Sequence, residues 1–414
     1  RTVSFFGYMI STVFERRYRR ALSDEADGRT TQELAQDLLG SNGEVSGSTL
    51  ARLILDRYAA MEIDEKRSFF GFLTHDLEIN ANDVIRTLQT YRTAPSKTSY
   101  RAFATACEPK RQELARRLNQ VSGATGQLVA MRKDLLDLLG ENPNFEPLDV
   151  DFQHLFSSWF NRGFLVLRPI NWSSPAEILE KIIAHEAVHA IDSWDDLRRR
   201  LQPADRRCFG FFHPAMAGEP LIFVEVALTK GIPSSIQELL ADGRDAIDSD
   251  DADTAVFYSI SNCQPGLAGI SFGNSLIKQV ASDLSRDLLS LKNFVTLSPI
   301  PGMNSWLEKN DFPGSSENEE RAMAAHYLLE AKRSDGLPAD PVARFHLGNG
   351  AMVHAVHAGA DVSDNGMAQS NGAMVNYLYD LSEITANHEQ FIAKKTVIAS
   401  PDVRALSATI RSKA

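Results

Sequence analysis

Proline is nearly absent from the first third of this chain: of seventeen prolines in 414 residues, only Pro95 and Pro109 precede residue 143. A stretch without proline keeps its backbone N–H groups free for helical bonding, and the apolar residues there recur with helical spacing. Leu50, Leu53, Ile54 and Tyr58 share one face; so do Val84, Leu88 and Tyr91, and then Leu128, Met131, Leu135 and Leu138. Breaks fall at Gly28, at Ser41-Asn42-Gly43, at Ala94-Pro95-Ser96 and at Gly140 to Pro143. Residues 1–142 are therefore expected to form an all-helical domain with short connections. Phe5, Phe6, Tyr8 and Met9 stand beside Val13 and Phe14, more apolar surface than a solitary small bundle can bury, so copies of the chain are expected to associate here.

Residues 143–414 read differently, as a mixed α/β domain, which makes the whole chain α+β. Phe164–Pro169, Pro220–Leu228, Thr254–Ser261 and Phe294–Ser298 are β-prone runs. Ser173-Ser174-Pro175 opens a helix expected to run to Ala190, with Glu177 near its positive end. The acidic segment Asp242–Asp253 reads as a solvated loop.

Charge and cysteine content exclude several classes. With 43 basic against 54 acidic side chains the formal charge is −11, the wrong sign for a general nucleic-acid or anionic-membrane binder. Cys107, Cys208 and Cys263 lie far apart, which argues against a disulfide scaffold and for a reducing compartment; the cytoplasm is the expected location. No apolar run approaches the ~20 residues of a membrane helix.

Two segments carry chemistry. His185-Glu186-Ala187-Val188-His189 is a literal H-E-x-x-H. On a helix its two imidazoles would share a face and hold zinc, with Glu186 as general base. A catalytic zinc needs a third protein ligand, and the metzincin continuation would put Gly at 192 and His at 195, where this chain has Asp192 and Asp195, while Glu219 and Glu225 fall in or before a strand. The expectation is no functional metal, with a zinc peptidase kept as an alternative. The second segment runs from the strand Thr254–Ser261 through a glycine-rich turn (Gly266, Gly269, Gly273) into a helix over Ser275–Leu289, where Leu276, Val280, Leu284 and Leu288 form one stripe. Exposed backbone amides and a helix dipole favour phosphate there, although glycines at such turns are often purely structural. The spacing matches neither a Walker A loop nor G-x-G-x-x-G; it resembles the pyrophosphate loop of GNAT-type acyl-CoA enzymes.

Gly218-Glu-Pro-Leu221, Phe257-Tyr-Ser-Ile-Ser261, Leu297-Ser-Pro-Ile-Pro-Gly302, Asp340-Pro-Val-Ala-Arg-Phe-His-Leu-Gly-Asn-Gly-Ala351 and Met374-Val-Asn-Tyr377, in that order, resemble the malonyl-CoA decarboxylase family. The resemblance implies a helical oligomerisation domain (1–142) before a GNAT-like catalytic domain (143–414). It implies conversion of malonyl-CoA to acetyl-CoA and CO2 without metal or organic cofactor, by a homo-oligomer, with a tetramer suspected. It places the catalytic serine at Ser298 and the catalytic histidine at His346, the first as proton acceptor and the second as donor. Ala268, Gly269, Ile270, Ser271, Phe272, Gly273 and Asn274 then bind the CoA portion of the substrate. A GNAT-type acyl-CoA transferase is the alternative within the same fold. Tyr258, Asn376 and Tyr377 are candidates for the acyl pocket or for packing, His354 and His357 are expected to be a β-edge pair, and Cys263 has no visible base beside it.

Overall fold

The computed structural model describes residues 28–40, 44–272, 276–310 and 317–411. Phe5 to Phe14, the break at 41–43 and the loop residues Gly273 and Asn274 lie outside these. The chain divides into two compact units, one extending to Trp159 and including Pro265–Gly269, the other made of Phe160–Gln264 and the residues from Ile270 onward. The helical unit thus extends past the expected boundary at 142, because the amphipathic stretch after Pro143 forms one more helix of the bundle.

That unit contains eight helices among its described residues: α1 (Thr31–Gly40), α2 (Glu44–Ala60), α3 (Ile63–His75), α4 (Ala81–Thr93), α5 (Lys97–Ala106), α6 (Lys110–Leu118), α7 (Ala124–Leu139) and α8 (Glu146–Trp159). Both early prolines mark helix boundaries: Pro95 lies between α4 and α5, and Pro109 is the residue before α6. Side-chain caps sharpen the starts, with Asn80 accepting from the amides of Asn82 and Asp83, and Ser96 from that of Ser99. Leu53, Ile54 and Tyr58 of α2 are buried, as are Leu128, Met131, Leu135 and Leu138 of α7. The third stripe behaves otherwise. Leu88 is 45% exposed, and half-buried Tyr91 packs on the rings of Tyr100 and Phe103 of α5, at 5.7 and 6.3 Å. The α4–α5 hairpin also exposes Ile79, Ile85 and Tyr100.

The second unit is built on an eight-stranded mixed sheet of β1 (Val166–Ile170), β2 (Arg206–Phe212), β3 (Pro220–Thr229), β4 (Thr254–Asn262), β5 (Asn293–Thr296), β6 (Ser298–Pro299), β7 (Met352–His357) and β8 (Met374–Leu378). Its order is β1-β2-β3-β4-β5-β8-β6, with β7 also on β8. Only β4 and β5 are parallel. Helices α9 (Ala176–His185) and α10 (Trp194–Leu201) bury Ile178, Leu179, Ile182 and Leu197 with Phe212 and Phe223. Further along come α11 (Ile236–Leu239), α12 (Leu276–Asp287), α13 (Met303–Lys309), α14 (Glu317–Glu330), α15 (Pro341–Gly348), α16 (Asp364–Ser370), α17 (Ile384–Lys394) and α18 (Pro401–Arg411).

Two irregularities open this sheet. β4 and β5 pair from Thr254↔Asn293 to Phe257↔Thr296, and the amide of Leu297 still reaches the Phe257 carbonyl. Beyond that point β4 continues against β3 alone, while Ser298 and Pro299 turn onto β8. The parallel pair therefore splays. Opposite Glu225 and Val226 the register of β4 slips, Glu225 facing Ser259 and Val226 facing Phe257, so Tyr258 is the extra residue of a bulge.

Candidate active site

Ser298 stands at the splay. Its hydroxyl donates to Thr296 Oγ1 at 2.8 Å, which leaves the serine oxygen to accept from His346 Nε2 at 3.3 Å. Thr296 and Ser298 are two residues apart along an extended chain, so their side chains face the same way. Thr296 Oγ1 also accepts the Tyr377 amide at 3.0 Å. His346 lies in the last turn of α15, whose N-cap is Asp340 with Pro341 in the first turn. The Asp340 carboxylate accepts the Ala343 amide at 2.9 Å and the Gly302 amide at 3.5 Å. One carboxylate thus ties the start of the histidine's helix to the turn that follows Ser298.

On its other edge, His346 Nδ1 meets the Tyr379 hydroxyl at 2.7 Å. Burial keeps the Tyr379 phenol well above its usual pKa, so it remains the donor. Nδ1 then accepts and Nε2 carries the proton, giving a chain Tyr379–His346–Ser298–Thr296. The ring stacks on Tyr377 at 4.6 Å and 23°. Burial pushes the imidazole down to a pKa of about 3, so it is neutral in the free protein at pH 7.

Ser298 and His346 line a cavity of about 250 Å³, together with Pro299, Val342 and Phe345 on their side and Phe257, Tyr258, Ser259, Ile260 and Val188 on the other. The structure therefore brings Ser298 and His346 together, with Tyr258 in the wall. Asn376 and Tyr377 pack behind it: Asn376 Nδ2 donates to the Thr296 carbonyl at 2.8 Å, and Tyr377 supports the histidine ring. Thr296, Asp340, Tyr379 and Val188 were not apparent from sequence. The Asp340-Pro341 helix start is a local signal that pointed to one of them; the others have none.

The glycine-rich segment is organised separately. Pro265–Leu267 forms a 3-10 turn, and Arg132 donates to the carbonyls of Gly266 and Ala268, both at 2.8 Å. Arg132 is itself paired with Asp149 at 2.8 Å. A Cβ on Gly266 would lie 2.0 Å from the Val129 carbonyl oxygen, so only glycine fits. Gly269 needs glycine for its φ of +79° instead. Ala268, Gly269 and Ser271 are exposed, Ile270 is half-buried and Phe272 is buried; none of the five lines the Ser298–His346 cavity.

The H-E-x-x-H segment departs from expectation. The helix ends at His185 rather than continuing to Ala190, and Glu186 turns away with ψ 111°. The Glu186 carboxylate replaces the helix by accepting the amides of Val188 and His189 at 2.8 and 2.9 Å. His185 and His189 are therefore not one helical turn apart, and Glu186 is committed to backbone. Glu219 is paired with Lys181 at 2.8 Å, and Glu225, raised by burial to a pKa of about 8, lies 3.3 Å from Arg200. His354 sits at a bulge in β7, and His357 is bonded to Asn376. Burial pushes the Cys263 thiol up to about 12; Cys208 is raised as well, and Cys107, following α5, is exposed.

The family model for the malonyl-CoA decarboxylase C-terminal domain matches residues 163–321 and 315–414, and that for the N-terminal domain matches residues 77–160. The chain belongs to the malonyl-CoA decarboxylase family. The mitochondrial malonyl-CoA decarboxylase of Anser anser anser is 35% identical over 349 residues, covering 71% of this chain and 69% of the relative. That of Rattus norvegicus is 32% identical over 360 residues, with 74% and 73% covered. The crystal structure of malonyl-CoA decarboxylase from Agrobacterium vitis is similar with a TM-score of 0.86 and 48% identity, covering 91% of this chain and 99% of that one. The Rhodopseudomonas palustris structure gives 0.84 and 45%, with 93% and 100% covered.

Proposed function

We propose that this chain decarboxylates malonyl-CoA to acetyl-CoA and CO2, with Ser298 and His346 at the reacting carbons. The observation that carries the site assignment is the buried Ser298–His346 pair, braced by Thr296 and Tyr379, in a cavity at the splayed strands. When the bond between C2 and the carboxylate breaks, its electron pair moves onto C2 and is delocalised into the thioester carbonyl. The substrate supplies its own electron sink, so no organic cofactor or metal is invoked. One proton must then reach C2. A neutral, buried imidazole gains affinity for a proton when an anionic carboxylate binds beside it, so His346 takes up its proton together with substrate, delivers it to C2 and returns neutral. Ser298 faces the protonated Nε2 of His346, which cannot take the hydroxyl proton. Its hydroxyl is better suited to holding the carboxylate out of the thioester plane than to accepting a proton as a base.

In the same reading the backbone amides of 268–274 hold the CoA pyrophosphate. The protein acts as a cytoplasmic homo-oligomer, a tetramer, through its helical unit. The three free thiols support a reducing compartment, and the exposed apolar residues of the α4–α5 hairpin support association. Among the described residues, no helix is long and apolar enough to cross a membrane. The test is incubation with malonyl-CoA, following acetyl-CoA and CO2, with light scattering for the assembly. Release of free CoA only when an acceptor amine is added would favour the transferase.

A further inference from the structure

The segment after α9 is an irregular strap whose backbone is held by hydrogen bonds from both ends. Ala187 donates its amide to Ser261 Oγ at 3.1 Å. The next two amides go to Glu186 Oε1, and the Ser259 hydroxyl lies 2.7 Å from each oxygen of that carboxylate. Further along, the carbonyls of His189 and Ala190 accept from Arg200 at 2.7 and 3.0 Å. Arg200 is in turn held by Asp196 at 3.0 Å. A loop fixed by hydrogen bonds at successive amides and carbonyls is stiff, because moving it leaves several of them unpaired at once.

The strap carries Val188 into the wall of the cavity that Ser298 and His346 line. Valine is β-branched and restricted at χ1, so it cannot swing aside to enlarge the space. We propose that Val188, held by the Glu186 carboxylate through Ser259 and Ser261, sets how large a substituent at C2 of the malonyl thioester the cavity accepts. Glu186 is then a positioning residue and Val188 a specificity-determining one. This rests on the malonyl-CoA reading, and it gives the H-E-x-x-H segment a role that is neither metal binding nor acid–base chemistry.

The experiment compares kcat/KM for malonyl-CoA and 2-methylmalonyl-CoA in the parent, Val188→Ala, Glu186→Gln and Glu186→Ala. Removing two methyl groups makes room for the one that the larger substrate adds. Since one methyl or methylene in a hydrophobic pocket is worth about 10-fold or more in selectivity, Val188→Ala should raise the methylmalonyl-to-malonyl ratio by about that factor. Glu186→Gln keeps an oxygen for the two strap amides and should stay near the parental ratio. Glu186→Ala frees the strap and should move the ratio in the direction of Val188→Ala, with KM rising more than kcat falls. An unchanged ratio in Val188→Ala, with malonyl-CoA still turned over, overturns the strap's role and leaves the decarboxylase reading intact. A parent chain that releases no CO2 from malonyl-CoA overturns both.

Discussion

The depressed pKa of His346 makes a thermodynamic prediction that needs no substrate. Burial lowers the imidazole from 6.5 to about 3, so between these values the unfolded chain binds a proton that the folded chain refuses. The folded state is therefore favoured fully above pH 6.5 and loses that advantage as pH falls toward 3. At pH 5 the unfolded histidine is almost wholly protonated and the folded one hardly at all, a difference of about 1.5 pKa units or ~2 kcal/mol at ~1.4 kcal/mol per unit. His346→Gln removes this contribution. His189, lowered by burial to about 4, and Glu225, raised to about 8, also alter the pH profile, but both remain in the variant and cancel in the comparison. Urea unfolding of parent and variant, followed by the fluorescence of Trp172, Trp194 and Trp306 in the same unit, should show the parent's advantage shrinking by ~2 kcal/mol between pH 8 and pH 5. In parallel, kcat/KM should show no His346 ionisation across that range, because it reports the free enzyme. An advantage that is independent of pH would mean that the ring is protonated in the fold, and the proton-uptake step would be wrong.

Ser298→Ala and His346→Ala should each lower kcat more than they change KM, His346→Ala by ~10²–10⁴-fold, and the double variant should lose much less than the product of the two. Strictly multiplicative losses would separate the pair. Gly266→Ala should lower the melting temperature through overpacking of ~1–3 kcal/mol against the Val129 carbonyl, and raise KM for malonyl-CoA. Gly269→Ala meets nothing nearer than Gln153 Oε1 at 4.0 Å and carries only the strain of its φ of +79°, so it should be milder, and a larger effect at Gly269 would reverse that ranking. Dialysis against a chelator should leave kcat unchanged; loss of activity restored by zinc would reopen the metal reading of His185 and His189.

The helices of the first unit were legible because their apolar spacing and breakers are local. Yet Val84, Leu88 and Tyr91 have the same spacing as Met131, Leu135 and Leu138, and only the latter are buried. Periodicity reports which residues share a face, not what covers it. The strands of the second unit were also visible, but not their interruptions. Tyr258 bulges without a glycine or proline to announce it, because the cause lies in the pairing with Glu225 and Val226. The helix end at His185 was equally hidden: Glu186 and Ala187 are good helix formers, and the competing partners Ser259 and Ser261 lie more than seventy residues away. The site was legible only through resemblance. Ser298 and His346 are separated by a turn and two helices, and nothing in their spacing says that they meet. Tyr379 and Thr296, which fix the proton positions on the pair, read in sequence as ordinary strand residues.

The three cysteines give this protein a built-in gauge of its own opening. Only a thiolate attacks a maleimide or a disulfide reagent, and Cys208 and Cys263 are both buried with raised pKa values, whereas Cys107 is exposed. A thiol reagent should therefore take up one equivalent rapidly at Cys107 and two more only as fast as the sheet unit exposes its interior. A dye placed on Cys107 marks the helical unit, and the slow second phase times excursions of the β2–β4 region of the sheet unit. That phase should slow when malonyl-CoA occupies the cavity beside it, since a ligand that binds only the closed form lowers the population of the open one.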